Sequence, residues 1–348
     1  MGDKVKSKSK KILKGFLNFL LVLVMLGILY YIFKDNYKEI IYQVSNVDGK
    51  IFAVAVIVGN IYYFFDAYVY WSFLRNEGHR ISFLRCVFTS YLSPFFNVTT
   101  FGVGIKPAQV AYLKRKGVDS GKGFGILTAP YVFSRTAIVV YALVMLIFNN
   151  KFVTKNFASS FGYIYGGIAF SVFVVILFIM ICSSRWFHRL IAKVVDTLFS
   201  RRKLAKYKFH ERIKTQTGLL YDASCKIVRK PMVWFKYIIV NLLRMSCWYV
   251  VPILVLYAMN GSLGGVSAFE IITATALMQL IVGMIPIGSG VGSLEVVFTL
   301  LFAAIYDTVT AGSCMILYRI ATYYVPFIIS IVDLFVVELD MRNVGADE

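Results

Sequence analysis

Long apolar runs alternate with short basic segments over almost the whole of this chain. Six of the runs are long enough to cross the hydrocarbon core of a bilayer, which takes about 20 residues of α-helix. They cover residues 16–33, 51–74, 123–148, 161–181, 232–259 and 313–337. The pattern predicts an all-α, polytopic membrane protein with about six spanning helices.

Two further apolar stretches, residues 81–113 and 267–305, are interrupted by proline and glycine. As a helix, residues 82–94 would be only about 20 Å long, short of the bilayer core. Irregular backbone at membrane depth is tolerated only where protein or a water-filled cavity satisfies its polar groups. Both stretches are therefore predicted to be re-entrant helical hairpins. Their breaks are expected at Pro94, Gly102, Gly104, Pro107, Pro286, Gly288, Gly290 and Gly292.

Composition agrees with this pattern. The 348 residues are 59% hydrophobic and only 16% charged, whereas soluble domains are about 45–50% apolar and 25% charged. The net charge of +19 could suggest nucleic acid, but the basic residues lie in short loops between apolar runs. That distribution orients a protein in a membrane, so no nucleic-acid partner is expected.

The distribution of Lys and Arg predicts the orientation. With the amino terminus inside, the predicted inner segments hold 28 of the 37 basic residues and the outer segments hold 5. This positive-inside asymmetry predicts a plasma-membrane protein with both termini in the cytoplasm. The first hairpin should then open to the cytoplasm and the second to the outside.

The predicted domain organisation is simple. Residues 1–15 form a basic cytoplasmic tail, and residues 16–348 form a single transmembrane domain. The apolar run after the tail is too long for a signal peptide and has no cleavage site, so it is predicted to be an uncleaved anchor. Residues 183–230 are predicted to be a cytoplasmic amphipathic segment. A retention loop and a lipid-headgroup role both stay open for that segment.

An inverted repeat is also predicted. The sequence FGVG at residues 101–104 of the first hairpin is echoed by SGVG at residues 289–292 of the second. Each is followed about 30 residues later by an arginine inside a span, Arg135 and Arg319. Two hairpins that open to opposite sides form the arrangement that places a substrate site near the bilayer midplane.

Charged side chains inside apolar spans are expensive and are functional candidates by default. Because a guanidinium group matches phosphate geometry, the charged residues in these spans suggest a cavity for a phospholipid headgroup. The structural alternative is that these residues pair with one another and only hold the helices together. Lys236 and Asp333 are set aside because they lie near predicted cytoplasmic ends. The candidate substrate-binding residues are Arg135, Arg244, Arg319, Asp66, Glu295, Glu270 and Lys106.

Catalytic and metal chemistry is not indicated. The five cysteines are scattered and form no C-x-x-C pair, and the three histidines have no acidic or cysteine neighbour at ligand spacing. There is no nucleophile beside a base, no H-E-x-x-H and no P-loop, so no catalytic residue, metal or cofactor is predicted.

Residues 97–115 (NVTTFGVGIKPAQVAYLKR) and 285–302 (IPIGSGVGSLEVVFTLLF) resemble two motifs of the lysylphosphatidylglycerol synthase transmembrane family, the flippase region of the multiple peptide resistance factors. The first resembles a Pro/Gly-rich break followed by G-E-x-x-R-A-Y-L-L, and the second resembles P-G-G-L-G-x-x-E. Ser134-Arg135 resembles the family's D-R step. The likeness covers about residues 10–340.

The chain departs from the family pattern at several positions. Lys106-Pro107-Ala108 stands where members often have G-E, and Ser134 stands where an Asp is common. The full resistance factors continue into a soluble synthase domain, whereas this sequence ends at Glu348, so a stand-alone member is expected. The family name suggests a phosphatidylglycerol lysyltransferase, but the chain is not expected to be an enzyme on its own.

The resemblance and the buried charges together favour a transporter or flippase for a lipid with a phosphate-containing headgroup, which the resemblance extends to aminoacylated phosphatidylglycerol. The alternative is a membrane subunit of a lysylphosphatidylglycerol synthase that works with a separate catalytic domain. An ion or small-solute transporter is disfavoured because no ion-ligand cluster is seen. The expected partner is membrane phospholipid, and a separate synthase or a second copy of the chain are the further partners left open.

Overall fold

A computed structural model describes residue 34 and residues 36–183, 231–285 and 292–344. The predicted span at residues 16–33, nearly all of the amphipathic segment, and the predicted breaks Pro286, Gly288 and Gly290 lie outside these ranges.

The described chain is helical, with short turns between helices. The helices are α1 (Tyr37–Ser45), α2 (Gly49–Asn76), α3 (Phe83–Thr99), α4 (Ile105–Arg115), α5 (Ser120–Thr128), α6 (Pro130–Phe148), α7 (Asn150–Asn156), α8 (Phe161–Ser183), α9 (Pro231–Asn260), α10 (Ala268–Val282), α11 (Ser293–Ala303), α12 (Thr308–Arg319) and α13 (Val325–Val344).

Five stretches of the described chain are long and apolar enough to cross a membrane. They correspond to five of the six predicted spans, so the prediction of an all-α, polytopic membrane protein is confirmed. α5 with α6, and α12 with α13, each form one such stretch. The five stretches are Gly49–Asn76, Ser120–Phe148, Ala158–Leu177, Trp234–Asn260 and Thr308–Glu338.

Side-chain caps mark where several helices begin. Asp48 accepts hydrogen bonds from the amides of Lys50 and Ile51, and Asp119 does the same for the first turn of α5. Ser267 and Glu270 form a reciprocal capping box at the start of α10. Such caps satisfy amide groups that have no partner inside the helix, so they fix where each helix starts.

The first predicted hairpin corresponds to α3 and α4, of 17 and 11 residues. In the connection, Phe101 and Gly102 have positive φ angles of 51° and 80°. Such angles are common for glycine but strained for phenylalanine. The turn is stabilised by Thr100, whose hydroxyl oxygen accepts a 2.7 Å hydrogen bond from the amide of Gly104.

The second predicted hairpin corresponds to α10 and α11, of 15 and 11 residues. Gly292 precedes α11 with a φ of 85°, which explains why a glycine stands there. Its amide donates a 2.7 Å hydrogen bond to Oε2 of Glu295 in the first turn of the helix. At about 1.5 Å per residue, all four hairpin helices are shorter than a bilayer core of about 30 Å.

Two apolar clusters pack on either side of a polar layer. The first cluster includes Phe133 and Tyr237, and the second includes Ile138 and Met245. Arg135 therefore lies between the clusters on α6, as Arg244 does on α9. Arg135 is 15 residues after Ser120 and 13 before Phe148, which places it roughly 20 Å from either end of that stretch.

A π-helical turn, Ile320–Tyr324, joins α12 to α13. Turns of this kind are rare and often occur at functional sites, because the extra residue redirects the side chains around it. Here it follows Arg319 directly, and the ring of Tyr323 lies 4.2 Å from the guanidinium carbon of that arginine.

Candidate functional site: a charged cavity between the short helix pairs

A cavity of about 490 Å³ occupies the polar layer. Its wall includes residues from both hairpins: Pro94, Gly102 and Lys106 come from the first, and Gln279 and Leu294 come from the second. The long helices complete the wall with charged and aromatic side chains. The cavity therefore lies where the two hairpins meet the spans.

Asp66 on α2 forms a buried ion pair with Arg244 on α9. The two residues are only 8% and 4% exposed, so neither charge is hydrated as it would be in water. The other carboxylate oxygen of Asp66 accepts a 2.8 Å hydrogen bond from the hydroxyl of Ser90. Arg244 also donates a 2.6 Å hydrogen bond to the hydroxyl oxygen of Ser134. This network joins α2, α3, α6 and α9 around the cavity.

A second buried ion pair links Glu295 on α11 to Arg319 on α12. Nε of Arg319 donates a 2.6 Å hydrogen bond to Oε1 of Glu295, while Oε2 accepts from the amide of Gly292. Both carboxylate oxygens therefore have partners. Arg319 lines the cavity, and this ion pair anchors the start of α11 beside it.

Arg135 on α6 is arranged differently. Its Nε donates a 2.7 Å hydrogen bond to the hydroxyl of Tyr131, whose ring lies 5.1 Å from the guanidinium carbon. In the part of the chain that the structure describes, no carboxylate lies within ion-pair distance of Arg135. The guanidinium lines the cavity and packs against Gly283 of the second hairpin.

Lys106 brings a fourth positive charge into the cavity, at the start of α4. Its ammonium group donates 3.1 Å hydrogen bonds to the hydroxyl of Tyr70 and to Oε1 of Gln109. Gln109 is fully buried and in turn donates to the carbonyl of Thr89 and the hydroxyl of Ser93. Neutral groups thus hold Lys106 in place.

The charges of this group do not cancel. Four cations, Lys106, Arg135, Arg244 and Arg319, line the cavity, whereas Asp66 and Glu295 supply two negative charges. The described group therefore has a net charge of two positive units in a place of low dielectric constant. Such an excess favours an anion, and guanidinium groups suit phosphate oxygens in particular.

A comparison with protein families matches residues 17–330 to the lysylphosphatidylglycerol synthase TM region. The chain belongs to this family. The matched segment contains both hairpins and all of the charged residues described above, so the resemblance predicted from the sequence is confirmed. A comparison with curated proteins gives no significant match.

The departure from the family motif at Ser134 has a structural consequence. Ser134 is the second partner of Arg244, so a neutral hydroxyl occupies a position where an acidic residue is common in the motif. Lys106 is the other departure, and it adds a cation to the same cavity. Both departures make the charge of the site more positive.

Not every candidate residue lies at the cavity. Glu270 caps α10 through the amide of Ser267 and is absent from the described wall. The predicted break at Pro94 is wrong, because α3 continues through Pro94 to Thr99; helices at membrane depth tolerate a proline where neighbouring groups satisfy the freed backbone. Pro94 and Gly102 line the cavity, whereas Gly104, Pro107 and Gly292 are outside its described wall.

Asp333 was expected to reach the membrane surface but is only 6% exposed. Its short side chain does not extend far enough to leave the helix interface that packs around it. In the described chain, no group of three or more His, Cys, Asp or Glu residues could hold a metal ion.

The aromatic partners of the cations are not predicted from the sequence. Each of the four cations lies over a tyrosine ring, at 4.2 to 5.3 Å. A local signal existed for two of them, because Tyr131 precedes Arg135 by four residues and Tyr323 follows Arg319 by four. Residues four apart lie on the same face of a helix. The rings of Tyr62 and Tyr70, which pair with Arg244 and Lys106, come from distant helices and give no such signal.

Proposed function

We propose that this protein moves a lipid with a phosphate-containing headgroup between the two leaflets of the plasma membrane. The observation that carries the proposal is the state of Arg135: it lines the cavity with no carboxylate partner in the described chain. Asp66 and Glu295 could have neutralised it, but they are engaged by Arg244 and Arg319. A bound phosphate would supply the missing negative charge.

The site is also suited to a ligand that stays partly in the bilayer. Arg135 and Arg244 lie between two apolar clusters, and Arg135 is near the middle of its membrane-length stretch. A headgroup could occupy this layer while its acyl chains remain among lipids. A soluble anion would gain the same charge contacts, so the assay must follow the lipid itself.

The architecture we propose has two re-entrant hairpins in an inverted repeat. It is supported by the short paired helices, by the positive φ angles of Gly102 and Gly292 at the breaks, and by the first turns of α4 and α11, which both contribute to the wall. The positive ends of these two helix dipoles would add to the attraction for an anion.

The orientation we propose has both termini in the cytoplasm. It rests on the 28 to 5 division of Lys and Arg between inner and outer segments. Under this scheme the first hairpin opens to the cytoplasm and the second opens to the outside, so the cavity between them could be reached alternately from the two leaflets.

A leaflet-resolved assay tests the proposal. The purified protein is placed in vesicles that contain phosphatidylglycerol with a fluorescent acyl chain, and a membrane-impermeant quencher measures the fraction in the outer leaflet over time. We expect the protein to accelerate exchange well above the rate in protein-free vesicles. Equal rates with and without protein would contradict the proposal.

A further inference from the structure

Among the described residues of the site, four cations stand against two acids, and both acids are paired with arginines. This excess of positive charge bears on which headgroup the cavity accepts. We propose that the transported headgroup is net anionic and carries no amino group, so that an aminoacylated lipid is rejected. The inference rests on the proposed function and narrows its substrate class. It separates this chain from the lysyl lipid in the name of its family.

The two carboxylates of the site already have partners. A lysyl headgroup carries two ammonium groups and one phosphate, and each buried ammonium needs an acidic or strongly polar partner. Asp66 already has Arg244 on one oxygen and Ser90 on the other. Glu295 has Arg319 on one oxygen and the amide of Gly292 on the other. Each carboxylate oxygen thus already accepts a hydrogen bond, and the charge of each acid is offset by an arginine. An ammonium group would therefore compete with a cation that the protein already binds.

Aromatic rings are the second way to bind an ammonium group. In this cavity the rings of Tyr70, Tyr131 and Tyr323 already lie under Lys106, Arg135 and Arg319. Tyr62 lies under Arg244 on one side and stacks on Trp248, with 3.8 Å between ring centroids. The protein's own cations therefore already cover one face of each of these four rings, so an ammonium group bound to one of them would add a further positive charge beside a cation.

Gln279 supplies a neutral acceptor. Gln279 lines the cavity, and its Oε1 is buried without a hydrogen-bond partner in the described chain. An amide oxygen suits a hydroxyl donor, such as one on a glycerol headgroup. It lacks the full negative charge that would offset the desolvation of an ammonium group.

The segment between Ile285 and Gly292 adjoins the cavity in sequence, and it has no acidic residue that could change this balance. With two excess positive charges already present, an ammonium group would meet repulsion. A phosphodiester with hydroxyl groups would meet Arg135, Lys106 and Gln279 as complementary partners. The charge of the headgroup, more than its size, should therefore decide transport.

The test compares lipids that share acyl chains and differ in headgroup. Vesicles contain the full-length protein and labelled phosphatidylglycerol or labelled lysylphosphatidylglycerol, and leaflet exchange is measured for each. We expect phosphatidylglycerol to exchange at least about tenfold faster, because like charges brought together in a binding site are strongly disfavoured. Equal exchange, or faster exchange of the lysyl lipid, would overturn the inference and leave the proposed function standing.

Two further arms make the outcome unambiguous. Uptake of inorganic phosphate into the same vesicles, without exchange of either lipid, would show a soluble anion as substrate and would overturn both proposals.

Gln279→Glu adds a carboxylate to the cavity, so the ratio of the phosphatidylglycerol exchange rate to the lysyl-lipid exchange rate should fall severalfold. Gln43→Glu makes the same chemical change on α1, outside the described wall, and should leave the ratio unchanged. An unaltered ratio in Gln279→Glu would contradict the role assigned to cavity charge.

Discussion

The guanidinium group of Arg135 occupies space that is open only because residue 283 is glycine. A β-carbon placed on Gly283 would overlap Nη1 of Arg135 and lie 3.4 Å from its Cζ. The backbone of Gly283 has an ordinary φ of −64°, so conformational freedom does not explain this glycine. The close approach ties a cation on a long span to the second hairpin.

Gly283→Ala is therefore expected to displace the end of the Arg135 side chain without changing its charge. The displaced group is the tip of a flexible side chain, but the added carbon would also lie 3.2 Å from the backbone carbonyl oxygen of Leu280, so the cost in stability should be about 1 kcal/mol. Lipid exchange should fall severalfold, since the guanidinium would no longer be held at the cavity wall. Exchange in vesicles and thermal unfolding of the same preparation measure the two effects.

The matched control is Gly162→Ala. Gly162 lies in α8, and an added β-carbon there would have nothing within 4 Å. Both its stability and its exchange rate should stay near wild type. An exchange rate for Gly283→Ala equal to that of the control would show that the position of Arg135 does not matter.

The two buried ion pairs predict a selective loss of stability. Asp66→Asn leaves the Arg244 charge buried with only Ser134 as a described hydrogen-bond partner, and a broken buried pair typically costs about 3–5 kcal/mol. The melting temperature should therefore fall clearly. Thermal unfolding in detergent, followed by aggregation or by intrinsic fluorescence, measures the change.

Asp333→Asn is the comparison for that experiment. Asp333 is also buried, but Oδ2 of its carboxylate has no hydrogen-bond partner, and no cation lies within ion-pair distance in the described chain. Removing a buried charge that lacks a counter-ion should leave the melting temperature unchanged or raise it. A drop as large as that of Asp66→Asn would contradict this account of the two acids.

The long helices could be predicted because twenty or more apolar residues leave few alternatives in a membrane protein. The turn between α3 and α4 could be located because Gly102 interrupts the apolar stretch there, whereas Pro94 suggests a break that the continuous helix α3 does not have. The partners of the buried charges could not be predicted, since Asp66 and Arg244 are 178 residues apart. Composition identifies such residues as costly, but only the packing of the helices decides which of them meet.

For the same reason, the roles of Gln279 and Ser134 at the cavity could not be predicted from the sequence. Neutral polar residues are tolerated at many places in membrane helices, so their type gives no signal of a site. Arg135 is one of the candidate residues that the sequence predicts, and the sequence alone does not say whether Asp66 or Glu295 pairs with it or with another arginine. The structure pairs both acids with other arginines, and this result could not be read from the spacing of the residues.

Strain at the first hairpin gives a third prediction. Gly102 lines the cavity with a φ of 80°, so Gly102→Ala should cost about 1–2 kcal/mol and should also slow lipid exchange. Gly78 has a φ of 85° and open space around it. Gly78→Ala should show a similar loss of stability with normal exchange. Slow exchange in both variants would point to general destabilisation as the cause.

The proposed orientation gives a fourth prediction. Lys151 and Lys114 are both exposed, and they lie in segments assigned to the outside and the cytoplasm. In a background without the native cysteines, Lys151→Cys should react with a membrane-impermeant maleimide in intact cells, whereas Lys114→Cys should react only after lysis. The reverse pattern would invert the topology.

The proposed role of Arg135 is tested most directly by lipid exchange in Arg135→Ala vesicles, with unfolding measured on the same protein. Since Arg135 has no acidic partner in the described chain, its removal should leave the melting temperature near wild type and reduce phosphatidylglycerol exchange to the protein-free rate. Arg135→Lys should restore only part of the activity, because lysine cannot make the two-pronged contact with phosphate. Exchange at the wild-type rate in Arg135→Ala would contradict the account.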